Sequence, residues 1–251
     1  MTDVTDATRD AGADAMIRAC LSLDQPRSFF LFAGAGSGKT RSLKDALEGL
    51  DTQTLTTLRK HSRKIAVITY TNAAADEITR RVKADPVFQV QTIHSFAWSL
   101  IEGRTADIRG WLESNLQTEI AEIQAAHENG RAGKAHDKRV KNMASKTKRL
   151  ERLAEIRTFT YTPVGDNFGR DALQHTEVIA LAAHFLTESE TFQNIVLARY
   201  PFILIDESQD TMEALMEALL TFEARHRGRI ALGLLGDTMQ RIYTDGLRDL
   251  D

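Results

Sequence analysis

Four short stretches of almost unbroken apolar residues govern what this chain can fold into: Phe29-Phe30-Leu31-Phe32-Ala33, Ile65-Ala66-Val67-Ile68, Phe202-Ile203-Leu204-Ile205 and Ile230-Ala231-Leu232-Gly233-Leu234-Leu235. A strand with one wet face alternates apolar and polar residues, whereas a continuous run suits a strand in a parallel sheet covered on both faces. Gln89-Val90-Gln91-Thr92 is a weaker fifth strand. Helical patterns occupy residues 15–23, 39–50, 73–83, 93–102 and 212–225. Alternating strands and helices predict an α/β fold, an open parallel sheet with helices on both faces. On such sheets ligands gather at the carboxyl ends of the strands, and the polar clusters of this chain directly follow its apolar runs.

The stretch from 104 to 199 breaks this alternation. It is polar and mostly helical by pattern, with a loop expected at Thr162-Pro163-Val164-Gly165-Asp166. The expected organisation is therefore a sheet domain built from residues 1–103 and 200–251, carrying a helical insertion at 104–199. A formal net charge of -3 over 251 residues gives no overall attraction to a polyanion, so any such binding must come from local patches. Cys20 is the only cysteine, which excludes an internal disulfide and argues against a cysteine-based zinc site. The acidic start lacks a secretory pattern, and no apolar stretch approaches the ~20 residues that cross a bilayer. The expectation is a soluble cytoplasmic protein.

Ala33-Gly34-Ala35-Gly36-Ser37-Gly38-Lys39-Thr40 follows the first apolar run and opens a helical pattern. The glycines let the backbone turn tightly, so that its N–H groups converge on phosphate oxygens. The helix beginning near Lys39 adds its positive end to the same anion. This is the phosphate-loop pattern, with Ala33 in place of the first glycine. It predicts a nucleoside triphosphate with Mg2+, ATP or GTP as far as the residues alone go: Lys39 reaching the β- and γ-phosphates, and Thr40 holding the metal through its hydroxyl.

Asp206 and Glu207 directly follow the third apolar run. Asp206 suits a metal-binding carboxylate, and Glu207 one that orients or deprotonates an attacking water. The competing reading is a surface acidic pair that caps the next helix, a role open to Asp210 as well.

With these motifs in hand, the chain resembles superfamily 1 DNA helicases of the UvrD/Rep type from about Phe29 to Tyr243. Residues 33–41, ending in Arg41, look like that family's first motif; Thr69-Tyr70-Thr71-Asn72-Ala73-Ala74-Ala75 looks like the next. Gln91-Thr92-Ile93-His94-Ser95-Phe96 is similar to its T-x-H-S segment. Ile205-Asp206-Glu207-Ser208-Gln209-Asp210-Thr211 and Gly236-Asp237-Thr238-Met239-Gln240-Arg241-Ile242-Tyr243 resemble two further elements. The resemblance implies a RecA-like phosphate-loop NTPase fold and a DNA-stimulated ATPase that moves 3′-to-5′. It also implies that Gln240 senses the γ-phosphate, and that Tyr70, Thr71, Asn72, Thr92, His94 and Ser95 face single-stranded DNA or a single/double-strand junction. Judged without the family, Tyr70 reads as a strand-end core aromatic and His94 as a helix-start hydrogen bond. The chain departs from the family at Ala73, which replaces a lysine, and at Thr244-Asp245-Gly246-Leu247, which replaces an aromatic and an arginine. The family's adenine-reading glutamine has no clear counterpart; Gln25 lies closer to the phosphate loop than the family spacing.

Within the insertion, Arg131, Lys134, Lys138, Arg139, Lys141, Lys146, Lys148, Arg149 and Arg152 are opposed in sequence mainly by Asp137 and Glu151. Such a patch can neutralise several phosphates, and Arg139, Lys141 and Lys148 are its candidate DNA contacts. Charge runs are also commonly solvated helix faces. Trp98 and Trp111 are expected to pack in the core or between domains. Family members carry a second RecA-like motor domain whose arginines reach the γ-phosphate. The sequence stops at Asp251, soon after Gln240, so slow hydrolysis is expected unless that domain joins in cis or trans. A second reading of the same motifs is a nucleotide-gated DNA- or protein-binding regulator without motor activity.

Overall fold

A computed structural model describes residues 15–32, 39–128, 133–208 and 213–236. The chain divides into two compact units: residues 1–97 with 182–251, and residues 98–181.

The first unit is built on five strands, β1 (Phe29–Phe32), β2 (Ile65–Thr69), β3 (Phe88–Thr92), β4 (Phe202–Ile205) and β5 (Ala231–Gly236). They form one sheet in the order β1-β5-β4-β2-β3, and every neighbouring pair is parallel. This is the α/β architecture of a RecA-like phosphate-loop NTPase. All residues of β4 and β5 and all of β2 are buried, which is why their sequences are continuous apolar runs. β3 lies at one edge, every residue is half-buried, and its sequence alternates in polarity.

Alternate strand residues point to opposite faces. On one face Ile65, Val67, Phe202, Leu204, Ala231 and Leu235 join a core with four helices: residues 15–20 (α1), α2 (Lys39–Glu48), α3 (Thr52–Lys60) and α4 (Asn72–Arg81). Their anchors include Ile17, Leu43, Leu47, Leu58 and Ile78. Fully burying one such side chain contributes about 1.5–3 kcal/mol, so the sheet centre is a stiff platform for whatever leaves its strands. On the other face, α10 (Glu213–Arg225) lies against β5 with Leu215, Leu219 and Phe222 buried. Its buried Glu223 accepts a hydrogen bond from the Ser28 hydroxyl at 2.8 Å, and Ser28 Oγ in turn accepts from the Leu232 N–H at 3.0 Å. Phe96 on α5 (Ile93–Ile101) meets Tyr200 edge-to-face at 5.8 Å, just after α9 (Glu190–Arg199).

Gly233 shows how tightly the strands approach. A Cβ there would lie 2.5 Å from the Phe29 ring and 2.6 Å from Leu204 Cδ2, on the two strands flanking β5. Glycine is what lets β5 sit between them.

The second unit is dominated by α6 (Thr105–Glu128) and α7 (Lys134–Arg152). Contacts between Arg109 and Leu153, Glu119 and Lys146, and His127 and His136 run in opposite directions along the two helices, so they form an antiparallel hairpin. Trp98 stacks at a tilt on Tyr161, 5.7 Å between ring centres, and Trp111 is half-buried on α6. Burial pushes the Tyr161 hydroxyl up to about 12, and that oxygen lies 2.6 Å from His175 Nδ1. The chain divides between units within α5 and within α8 (His175–Glu188). Among the described residues no helix is long and apolar enough to cross a membrane.

Candidate functional site

Because all five strands are parallel, their carboxyl ends share one edge of the sheet, and among the described residues the motifs that begin at Thr69, Gln91 and Ile205 lie where the chain leaves that edge. The head of α2 can be located there from the ion pairs it makes with α4. Lys44 pairs with Glu77, and one turn further along Arg81 pairs with Asp45 at 3.1 Å and Glu48 at 3.3 Å. Partners advance in the same direction along both helices, so α2 and α4 run parallel. Lys39 and Asn72, each five residues before its helix's first rung, are therefore level. Asn72 lies three residues beyond the end of β2, which puts both helix heads at the carboxyl edge.

Of the expected phosphate loop, Ala33, Gly34, Ala35, Gly36, Ser37 and Gly38 lie outside the described residues, as does Gln240. Lys39 and Thr40 are the first two residues of α2. Arg41 is exposed, with its guanidinium 3.5 Å from Asp45 one turn on.

Asp206 belongs to the same edge: its N–H donates to the Ile68 carbonyl at 2.8 Å, extending the β4–β2 pairing by one residue. Its side chain is only 3% exposed, and Oδ1 accepts from the Glu207 N–H at 3.2 Å. That burial removes the reading of Asp206 as a surface carboxylate. Glu207 is half-buried and has a φ of 55°, the left-handed region that side chains with a Cβ rarely adopt. The turn redirects the chain directly after the buried strand, and strain of this kind clusters at functional sites. A hard carboxylate oxygen at a strand end is the donor type magnesium takes, in company with phosphate oxygens and not in an all-protein cage. Among the described residues no group of three or more His, Cys, Asp or Glu forms such a cage.

The register of β2 on β3 sets Thr69 against Thr92, so the Tyr70 and His94 segments emerge side by side. Tyr70 is 59% exposed, which excludes the core-aromatic reading. Three neighbouring hydroxyls have work within the fold. Thr71 Oγ1 accepts from the Ala74 N–H at 3.2 Å and caps α4. Thr92 and Ser95 hydroxyls lie 3.0 Å apart at the head of α5. His94 is half-buried and Asn72 opens α4.

The basic helix α7 departs from its reading in sequence. Lys146 pairs with Glu119 on α6 at 2.6 Å, and Arg149 holds Glu177 on α8 through two bonds of 2.5 and 2.9 Å. Those cations are thus opposed by acids far away in sequence, not by Asp137 and Glu151. Arg139 is half-buried with Nε enclosed and unbonded, so it is not a free surface charge. Lys134, Lys138, Lys141 and Lys148 are exposed; Arg131 lies outside the described residues. Sequence reasoning missed α3 and the α2–α4 ion pairs. For the latter, acids and bases at matching helical spacing on two separate helices were the available signal.

Comparison with known proteins bears on the whole arrangement. The sequence matches the AAA domain family over residues 18–245. It is also similar to the Gabija protein GajB of Bacillus cereus (strain HuB5-5), 23% identical over 292 aligned residues. That match covers 90% of this chain and 43% of the relative, so the chain spans less than half the length of that protein.

Proposed function

This chain belongs to the AAA domain family, and from that premise we propose that it is the ATP-binding motor domain of a UvrD/Rep-like DNA helicase. Joined to a second RecA-like domain, in cis or in trans, it would couple ATP hydrolysis to movement along single-stranded DNA. The observation that carries this reading is adjacency at one sheet edge. Buried Asp206 is hydrogen-bonded to β2, and β2 runs directly into the exposed Tyr70. A nucleotide site and an aromatic suited to stacking on a base thus leave neighbouring strands.

In this reading the backbone of residues 33–38 cradles the phosphates of ATP, with Lys39 on the β- and γ-phosphates. Thr40 and Asp206 would hold magnesium, which neutralises charge on the β- and γ-oxygens when bound. Glu207 aligns the attacking water and takes its proton, and the strained turn fixes its backbone before substrate arrives. Gln240 reads the γ-phosphate. Tyr70 stacks on a base, while Asn72 and His94, with Thr71, Thr92 and Ser95, line the same strand path. Lys141 and Lys148 add phosphate contacts, with Arg139 playing a lesser part because of its burial.

Lys39→Ala should abolish binding of a fluorescent ATP analogue, and Glu207→Gln should keep binding while removing turnover. Single-stranded DNA should raise ATP turnover in the wild-type chain and not in Tyr70→Ala. A chain that binds ATP, shows no response to DNA and still binds a protein partner on nucleotide loading would favour the regulator reading instead.

A further inference from the structure

The two helices that start at the proposed site are locked to each other in a way the proposed chemistry does not require. Lys44 on α2 is 7% exposed and faces Glu77 on α4; one turn along, Arg81 on α4 faces Asp45 and Glu48 on α2. The polarity alternates between rungs: cation on α2 with anion on α4, then anions on α2 with a cation on α4. Hydrogen bonding and the charge of Lys44 hold the Glu77 carboxyl below its usual range.

This alternation makes the ladder specific for one axial register. Sliding α4 by one turn, about 5.4 Å, toward its carboxyl end would set Glu77 against Asp45 and Glu48. Sliding it the other way would bring Arg81 to Lys44. Both slips place like charges opposite one another, and in either case Lys44 would be left buried without its counter-ion, which is costly. The apolar contacts beneath, among them Leu43, Leu47, Ile78 and Val82, have no such directionality.

We infer that the Lys44–Glu77 and Arg81–Asp45/Glu48 ladder couples the head of α2 to the head of α4, so that a shift of the phosphate loop on nucleotide binding carries the Tyr70–Asn72 turn with it. The inference rests on the motor reading above and names positioning residues within it. None of the five touches nucleotide or DNA; they act by making α2 and α4 one rigid pair. The ladder lies on the face of the sheet that α1–α4 cover.

The test is a coupling measurement on the full 251-residue chain. Affinity for a fluorescein-labelled oligo-dT is measured with and without a saturating non-hydrolysable ATP analogue and magnesium. The ratio of the two affinities is the coupling factor, about 5-fold or more in an allosteric pair. Glu77→Lys, which puts like charges on the upper rung, is expected to bring that ratio near one. Affinity for analogue alone and for DNA alone should each stay within about threefold of wild type, since neither contact is removed. Glu77→Asp, which keeps the charge and the alternation of the rungs, should keep the ratio near that of wild type. Glu77→Gln, which removes charge without adding repulsion, should give an intermediate ratio if Glu77→Lys does not fold.

A wild-type-like ratio in Glu77→Lys or Glu77→Gln would overturn the inference. So would a Glu77→Asp chain that melts like wild type yet is uncoupled, because the charge pattern would then not be what transmits the shift. A wild-type chain that binds both ligands with no mutual effect would instead sink the motor reading itself.

Discussion

Two substitutions at Glu207 separate the strain in the turn from the chemistry of the carboxylate. Glu207→Ala and Glu207→Gly both delete the side chain, so both lose the proposed base and whatever contacts the carboxylate makes. They differ in the Cβ, and Glu207 has a φ of 55°. Holding a residue with a Cβ in the left-handed region costs roughly 1–2 kcal/mol. Glycine escapes that cost but loses more freedom on folding, by about 0.5–1 kcal/mol relative to alanine. The balance favours glycine by about 0.5–1 kcal/mol, the reverse of the order at ordinary helix and strand positions. For a chain of this size the difference is a melting temperature about 1–4 °C higher for Glu207→Gly than for Glu207→Ala. Differential scanning fluorimetry of the pair measures it, and phosphate release measures turnover, expected to fall about 10²–10⁴-fold in both. Glu207→Gln keeps the Cβ and the shape, so it should melt near wild type while losing turnover to the same extent. A glycine variant that melts at or below the alanine variant would show that the turn is not strained. Retained turnover in any of the three would remove Glu207 from the role of base.

Other sites give independent checks. Gly233→Ala forces a methyl into the space between Phe29 and Leu204, an overpacking that should cost about 1–3 kcal/mol and be seen as a lower melting temperature. An unchanged melt would mean β1 can move off β5 freely. Alkaline titration tests the burial of Tyr161, whose ionisation is raised from 10.0 to about 12. Because the folded state holds this proton more tightly, stability is full below pH 10 and is lost as pH rises toward 12. The loss approaches roughly 1.4 kcal/mol per pH unit, and Tyr161→Phe should abolish its contribution in urea melts. Tyr70→Ala should weaken oligo-dT binding about 5-fold or more with little change in melting temperature, since the ring is exposed. Thr71→Val should do the opposite, lowering stability through the lost cap of α4. Lys141→Glu with Lys148→Glu should lessen the salt dependence of DNA binding, whereas Lys146→Glu should chiefly disturb the pairing of α6 with α7.

The elements that could be read directly from the chain are those whose environment is uniform along their length. β2, β4 and β5 are buried on both faces, so each residue must be apolar and the run declares itself. Asp206 and Glu207 were recognisable because carboxylates directly after such a run have few reasons to be there. β3 was faint because all five of its residues are only half-buried, so a short alternation with no fully buried run is all that marks it. α3 left almost no trace. Its sequence Thr-Gln-Thr-Leu-Thr-Thr-Leu-Arg-Lys is rich in poor helix formers, and it is held by the Asp51 cap and one fully buried side chain, Leu58.

What no local pattern could supply is the order of the strands and the pairing of charges. β5, late in the chain, inserts between β1 and β4 because Gly233 leaves room for Phe29 and Leu204. That insertion also sets which motifs are neighbours at the carboxyl edge. Lys146 and Arg149 looked like free cations until acids 27 and 28 residues away proved to be their partners. Residue type and spacing carry information about a strand's or helix's own surroundings, because burial and hydrogen bonding act on each position locally. Adjacency between distant segments is a property of the whole packing, and charge pairs, strand order and helix register exist only once that packing has formed.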